Sequence, residues 1–440
     1  MRIRSLGIVT SALVSSALLA ACAGGSSATQ AAGIVPAAVQ RPGASGSQAV
    51  PVHRASSAVR RTMSVPGCSG TGAYAFLGNP GGGNGNGPNY ASGAYSVVGG
   101  GSSNEACDNW AIVVGGYGNA VSSGSTNTAG GFIGGGNYNV LTGNDSDSAI
   151  VAGGNNDVSN AESAIVGGYQ NTVSAALAFM GGGYANTLSA EDGAIAGGTN
   201  NTVSGVGGYV GAGGYNTASG EGSVIGGGYN STAAGAFATI PGGYVDSAAG
   251  TYSFAAGARA SAAHTGTFVW SDGSDGDAIL SSSHPYQFVA RASGGVTFWT
   301  NRGSTVGATL APGSGTWSSA SDRNLKTDVA PLDDAAVLDK VAALPISRWS
   351  YKTEHGVRHV GPMAQDFYAA FKVGEDDRHI TSIDEDGVAL AAIKALHAEN
   401  RGLHAENAAL RRTITAMRAA ESAHDRRVDA ELARLEARSR

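Results

Sequence analysis

The feature that most constrains the fold is a pair of glycines that returns along the middle of the chain. The pairs start at Gly100, Gly115, Gly135, Gly153, Gly167, Gly182, Gly197, Gly213, Gly227 and Gly242, with a degenerate turn at Ala256. Most steps are 14 to 16 residues, and two longer early steps place surface insertions near Ser125 and Asp145. Two residues before the pairs stand Val98, Val113, Ile133, Val151, Ile165, Met180, Ile195, Ile225, Ile240 and Phe254, a column broken only by Gly211. Two residues earlier the side chains are mostly small: Ser96, Ala111, Ala149, Ser163, Ala178, Ser223 and Ala238. Alternation at a period of two marks a strand with one face packed inward.

Four residues after the first glycine come Asn104, Asn119, Asn139, Asp157, Asn171, Asn186 and Asn201, then Thr217, Ser231 and Asp246. Such side chains bond neighbouring backbone in turns and tolerate left-handed dihedrals. A second apolar column follows at Val121, Leu141, Val173, Leu188 and Val203. Each unit therefore reads as a strand, a glycine bend, an Asn turn and a second short strand. A turn of this size offers two or three inward side chains, while ordering it costs roughly 1–2 kcal/mol per residue. The expectation is that one chain is too thin to enclose a core, so that three chains share an apolar prism. A single-chain β-helix is the competing architecture. From about Ala91 to Ala262 the units resemble the head repeats of trimeric autotransporter adhesins, and the resemblance implies a trimeric parallel β-roll. An outward row of Tyr117, Tyr169, Tyr184, Tyr215, Tyr229 and Tyr244 reads either as a contact stripe for a sugar or protein ligand or as rings stacked on one another.

The chain opens with Arg2 and Arg4 before an apolar run from Leu6 to Ala21, too short for a transmembrane helix and ending in Leu19-Ala20-Ala21-Cys22. This resembles a bacterial lipobox, which implies removal of residues 1–21, acylation of Cys22 and an exported protein lipid-anchored at the outer membrane or cell surface. An ordinary signal peptide with an incidental cysteine is the alternative. Residues 22–65 are Ala, Ser, Gly, Gln and Pro without periodicity and read as a tether. In an exported chain, Cys68 and Cys107 are candidates for a disulfide. A net charge of −6 gives no attraction to phosphate backbones and argues against a nucleic-acid partner.

The domain reading places a repeat shaft at 66–262 and a connecting β-domain and linker at 263–320. In the connector, Asp272, Asp275 and Asp277 read either as a calcium loop or as solvated turn residues. Composition then changes at Ser321-Asp322-Arg323-Asn324-Leu325-Lys326. That motif, Leu338 to Tyr351, and His359, Gly361, Ala364, Gln365 and Asp366 ahead of a long helix resemble the intramolecular chaperone domain of phage endosialidases and tail fibres. The resemblance implies an α+β domain over 321–387 that trimerises, nucleates folding of the fibre and is released by cleavage between Ala320 and Ser321. Ser321 would be the nucleophile, Lys326 the base and His359 a supporting residue. A serine hydroxyl needs a base to take its proton, and lysine serves only when neutral. Five residues apart, the two face away from each other on a helix or a strand, so cleavage needs a bend between them. The alternative is that Ser321 caps a turn and Lys326 is a solvated charge.

Over 388–440, Leu396, Leu403, Leu410 and Met417 recur seven apart, with Ile393, Asn400, Asn407 and Ile414 three residues before each, which is a coiled-coil seam. The fold class is thus mainly β: a trimeric β-solenoid shaft, a small β connector, an α+β chaperone domain and a trimeric coiled coil. The function expected is a trimeric, adhesin-like surface fibre, with at most one self-cleavage event, no cofactor and no metal. Rivals are a polysaccharide-binding or polysaccharide-degrading spike and a prophage tail fibre. No pair of carboxylates recurs on adjacent turns as glycoside hydrolysis would require.

Overall fold

The computed structural model describes residues 71–78, 87–123, 130–142 and 147–439. The export segment 1–21, Cys22, the tether 22–65 and Cys68 lie outside the described residues. Cys107 is disulfide-bonded.

Each repeat contributes two short strands, one to each of two parallel sheets. The first sheet runs from Phe76–Leu77 through Val97–Val98, Ile112–Val113 and Phe132–Ile133 to Phe288–Arg291. The second runs from Tyr90–Ala91 through Glu105–Ala106 to Leu280–Ser281. From the first sheet Val98, Val113, Ile133, Ile150, Ile165 and Met180 point inward with no exposed surface. Ala106, Val158, Val173 and Leu188 of the second sheet belong to the same buried cluster.

One chain therefore does enclose a core, contrary to the expectation that a turn is too thin. A turn gains more than its own two or three inward side chains, because the turns above and below seal them and bond the backbone edges. Fully burying a Val, Leu or Ile contributes about 1.5–3 kcal/mol, repeated turn after turn. The small inward column has a steric cause. At Gly131, Gly193 and Gly208 a Cβ would meet the Val121, Leu188 and Val203 side chains at 2.6, 2.8 and 2.9 Å.

The second glycine of each pair sets the register. Gly198 has φ +97°, and a Cβ on it would lie 2.2 Å from the Gly213 carbonyl oxygen of the next turn, whereas a Cβ on Gly197 would meet nothing within 4 Å. Alanine is accordingly accepted at the first position, and Ala152-Gly153 and Ala212-Gly213 replace the pair in two turns. The sequence register is corrected by one residue there. Ile150 and Val210 are inward rather than Val151 and Gly211, Ser148 takes the small position rather than Ala149, and the corner residues are Asn156 and Asn216 rather than Asp157 and Thr217. Phe254 also faces outward, and Ala255 is buried in its place, because the spacing between corner residues shortens to 14 there.

The corner asparagines form a buried ladder. Asn186 Nδ2 donates to the carbonyls of Gly182 (3.1 Å) and Gly198 (2.9 Å) and to Asn171 Oδ1 (3.1 Å), while its Oδ1 accepts the Asn201 amide at 2.9 Å. The usual spacing of 15 residues widens to 20 before Asn139 and to 17 before Asn156, where the insertions were expected. Beyond Asn216 the ladder continues through Ser231 to Asp246, whose Oδ1 accepts the Ala260 amide at 2.8 Å. Asp246 Oδ2 takes the place of the amide nitrogen and has no hydrogen-bond partner. Burial pushes this carboxyl up to about 6.

On the outer surface Tyr169 stacks on Tyr184 (centroids 6.1 Å apart) and Tyr229 on Tyr244 (6.0 Å). Tyr215 is out of line because Gly214 holds the row position in its Ala-Gly turn.

The parallel stack continues past 262, where the connector was expected. Phe268–Asp272 pairs with Phe254–Ala258 on one side and Phe288–Arg291 on the other. Val269 is fully buried, and the outward rings of Phe254, Phe268 and Phe288 stack at 4.6 and 4.8 Å, so the core pattern persists without the glycine pair. The aspartates of this loop are engaged singly. Asp275 pairs with Arg291 at 3.1 Å and Asp277 with Arg259. Hydrogen bonds from the Ser293 and Ser274 side chains and backbones hold Asp272 well below the usual carboxylate range. Among the described residues no cluster of side chains is arranged to hold a metal ion.

After the stack comes a three-stranded antiparallel sheet, Val296–Trp299, Gly307–Leu310 and Trp317–Ser319. Next are helix α1 (Asp334–Ala343), the hairpin Ser347–Trp349 with His359–Gly361, helix α2 (Ala364–Phe371) and the 57-residue helix α3 (Ser382–Arg438). Thr381 caps α3 by accepting the Asp384 amide. A small core of Val337, Ala391 and Ala392 joins α1 to α3. Beyond it α3 leaves Leu396, Leu403, Leu410 and Met417 between 52 and 66% exposed.

Candidate functional site

The chain reaches the predicted cleavage bond along an edge strand. The Ala320 amide donates to the Gly307 carbonyl at 3.1 Å, which ties the residue before the bond to the antiparallel sheet. Immediately after Ser321 the chain bends into a single 3-10 turn, Arg323–Leu325. Asp322 caps it: its Oδ1 accepts the Asn324 amide at 2.9 Å and the Asn324 side-chain amide at 3.0 Å. The Lys326 amide closes the turn on the Arg323 carbonyl at 3.1 Å.

This turn supplies the bend the Ser–Lys spacing requires. Lys326 Nζ donates to Ser321 Oγ at 2.7 Å, and both residues are exposed. The cap is Asp322, not Ser321, and Lys326 is not merely solvated. Asp322 is the residue sequence reasoning passed over. An aspartate whose side chain can accept the amide two residues on is a recognised turn starter, so a signal was present.

His359 lies on the hairpin, where its Nε2 is 2.9 Å from Glu354 Oε2 and its ring stacks on Trp349 at 4.6 Å. Tyr351 meets it edge-on at 5.7 Å. Among the described residues no hydrogen bond joins His359 to the Ser321–Lys326 pair, so the single chain does not assemble the expected three-residue group.

A parallel solenoid is thus followed by a small α+β unit and a long helix with an exposed seam, an architecture that fits fibre proteins of the tail-fibre type. Residues 321–373 match the family model described as chaperone of endosialidase. The match begins at Ser321. No curated protein matches the chain.

Proposed function

We propose that the chain is a homotrimeric surface fibre whose C-terminal domain drives assembly and then separates by one self-cleavage at Ala320–Ser321. The observation that carries the reading is the 2.7 Å contact between Lys326 Nζ and Ser321 Oγ at the first residues of the chaperone-of-endosialidase match. Neutral Lys326 takes the Ser321 hydroxyl proton as Oγ attacks the Ala320 carbonyl carbon. The resulting five-membered adduct collapses by breaking the C–N bond, and the lysine proton passes to the Ser321 nitrogen. Ala320 is then esterified to Ser321 Oγ. Water hydrolyses the ester, leaving a carboxylate on Ala320 and a free amine and hydroxyl on Ser321. No turnover of an external substrate is involved.

Only a neutral amine can act as the base, and exclusion of water favours that form. The pair is exposed in one chain, so neighbouring chains that cover it would couple cutting to assembly. Ser321→Ala should leave full-length protein by intact-mass measurement, whereas the parent yields two fragments divided after Ala320. Identical masses for both would overturn self-cleavage.

The shaft would stand on the cell surface, acylated at Cys22 and available to a glycan or protein ligand. A phage-type tail fibre is the second reading, favoured by the chaperone match. Labelled palmitate separates them: incorporation that Cys22→Ser abolishes supports the anchor, and no incorporation supports the tail fibre.

A further inference from the structure

The edge of the stack where the chain passes from the second sheet back to the first carries one residue per turn in the left-handed region. In successive turns toward the C-terminal side these are Phe237, Tyr252, Gly266 and Tyr286, with φ +55°, +57°, +64° and +61°. Backbone bonds fix them as consecutive rungs: the Tyr252 amide donates to the Ala236 carbonyl at 2.9 Å, Gly266 to Thr251 at 2.8 Å and Tyr286 to Thr265 at 2.9 Å. The fold needs no ring at this place, since Gly207 and Gly222 hold it in earlier turns. A bulky residue is strained at positive φ, and the two tyrosines recover little by burial, being 65 and 82% exposed. Side chains that strain the backbone and face solvent point to a contact outside the fold.

One rung of this ladder is missing. Phe237 and Tyr252 stack at 5.6 Å with their planes 10° apart, and Gly266 then puts no ring on the far side of Tyr252. Tyr286 leans on the bare Gly266 backbone, where a Cβ would stand 2.7 Å from its edge. At ~4.8 Å per turn, Tyr252 and Tyr286 stand two rungs, about 10 Å, apart, which is room for one ring sandwiched between them. The lip of the gap carries Thr251 and Thr265, half-buried, whose hydroxyls have no hydrogen-bond partner among the described residues. Between Ala248 and Val269 the only basic or acidic side chains are Arg259, which lies over Tyr244 on the other edge of the stack, and His264, whose Nδ1 is 2.9 Å from Ser282 Oγ.

A group that fits this gap is uncharged, has two apolar faces and carries hydroxyls around its rim. We infer that the slot between Tyr252 and Tyr286 binds one hexose ring of a neutral glycan. The sugar's carbon–hydrogen faces pack on the two tyrosine rings, and its rim hydroxyls bond to Thr251 and Thr265. A flat aromatic group would fill the same space but leave both threonine hydroxyls unpaired. The inference rests on the reading of the shaft as a ligand-bearing surface and adds the class of ligand and its place. It does not depend on self-cleavage.

The test is titration of the full chain with the methyl glycosides of glucose, galactose and mannose, and with phenol, read by saturation-transfer difference NMR. Gly266→Phe supplies the missing ring at a φ that Phe237 already adopts, and Tyr286→Ala removes one wall; circular dichroism checks that each variant is folded. Binding of at least one glycoside that weakens at least tenfold in both variants supports the slot. Binding unchanged in both places the sugar elsewhere and overturns it. Binding of phenol alone, or of no probe, overturns the assignment to a neutral sugar. Each of these failures leaves the fragment masses, and with them the self-cleavage reading, unaffected.

Discussion

At the scale of single residues, the corner shows two glycines with opposite duties. Gly198→Ala pushes a Cβ into the Gly213 carbonyl at a positive φ and should cost several kcal/mol, seen as a large fall in melting temperature. Gly197→Ala fills open space and should change stability by no more than about 1 kcal/mol, as natural alanine at 152 and 212 foreshadows. Equal damage from both would sink this account of the register. Sequence alone could not rank the two glycines, because the distinction lies in a carbonyl belonging to the next turn. That is why aligning on the first visible pair slipped by one residue at Gly153 and Gly213.

Asp246 is the second residue-scale lesson. Its carboxyl sits where the ladder wants an amide, and its folded value of about 6 lies above the ordinary 3.8. The folded chain therefore holds this proton more tightly than the unfolded chain. Its contribution to stability is fully present below about pH 3.8 and lost as pH rises through 6, up to about 3 kcal/mol in all. Asp246→Asn should flatten that dependence and raise the melting temperature at pH 8 by several degrees. An unchanged pH profile would show that Oδ2 is solvated.

At the scale of elements, the two halves of the chain solve the burial problem differently. Strand alternation and the heptads were plain in the sequence, since both are local periodicities. Closure of the core within one chain was not, because it depends on two sheets facing each other. Nor was the continuation of the stack through Phe288–Arg291, where the aromatic rings replace the glycine pair as the visible signal. Helix α3 has the opposite balance: among the described residues its periodic leucines stay more than half exposed. Leu403→Ala combined with Leu410→Ala removes about 2–5 kcal/mol of burial per residue if the seam is packed. Sedimentation should then show the trimer dissociating at concentrations at least a hundredfold higher. Unchanged assembly would mean that the helices do not meet there.

At the scale of the whole molecule, the shaft closes its own interior, and the apolar side chains left exposed at a regular spacing are those of α3. The Ser321–Lys326 contact was legible as a pair of residue types, and the bend that joins them was legible as a requirement. Its source in Asp322 became clear only from the turn geometry. A shaft that closes its own core does not depend on the C-terminal domain for its interior, which suits the one-time cut proposed at the boundary between them.

Because each turn bonds only to the turns above and below, and most turns present the same corner and the same two edges, the shaft behaves as a ruler graduated in units of 15 residues. Removing residues 187–201, one complete graduation between matching asparagines, should bring the tip closer to its base by ~4.8 Å and leave both ends undisturbed. Circular dichroism and solution scattering would register a slightly shorter rod of unchanged fold, and loss of the folded state would refute the modularity. The length of the shaft is then set by how many repeats are inherited, and gain or loss of whole repeats can lengthen or shorten it without a new fold.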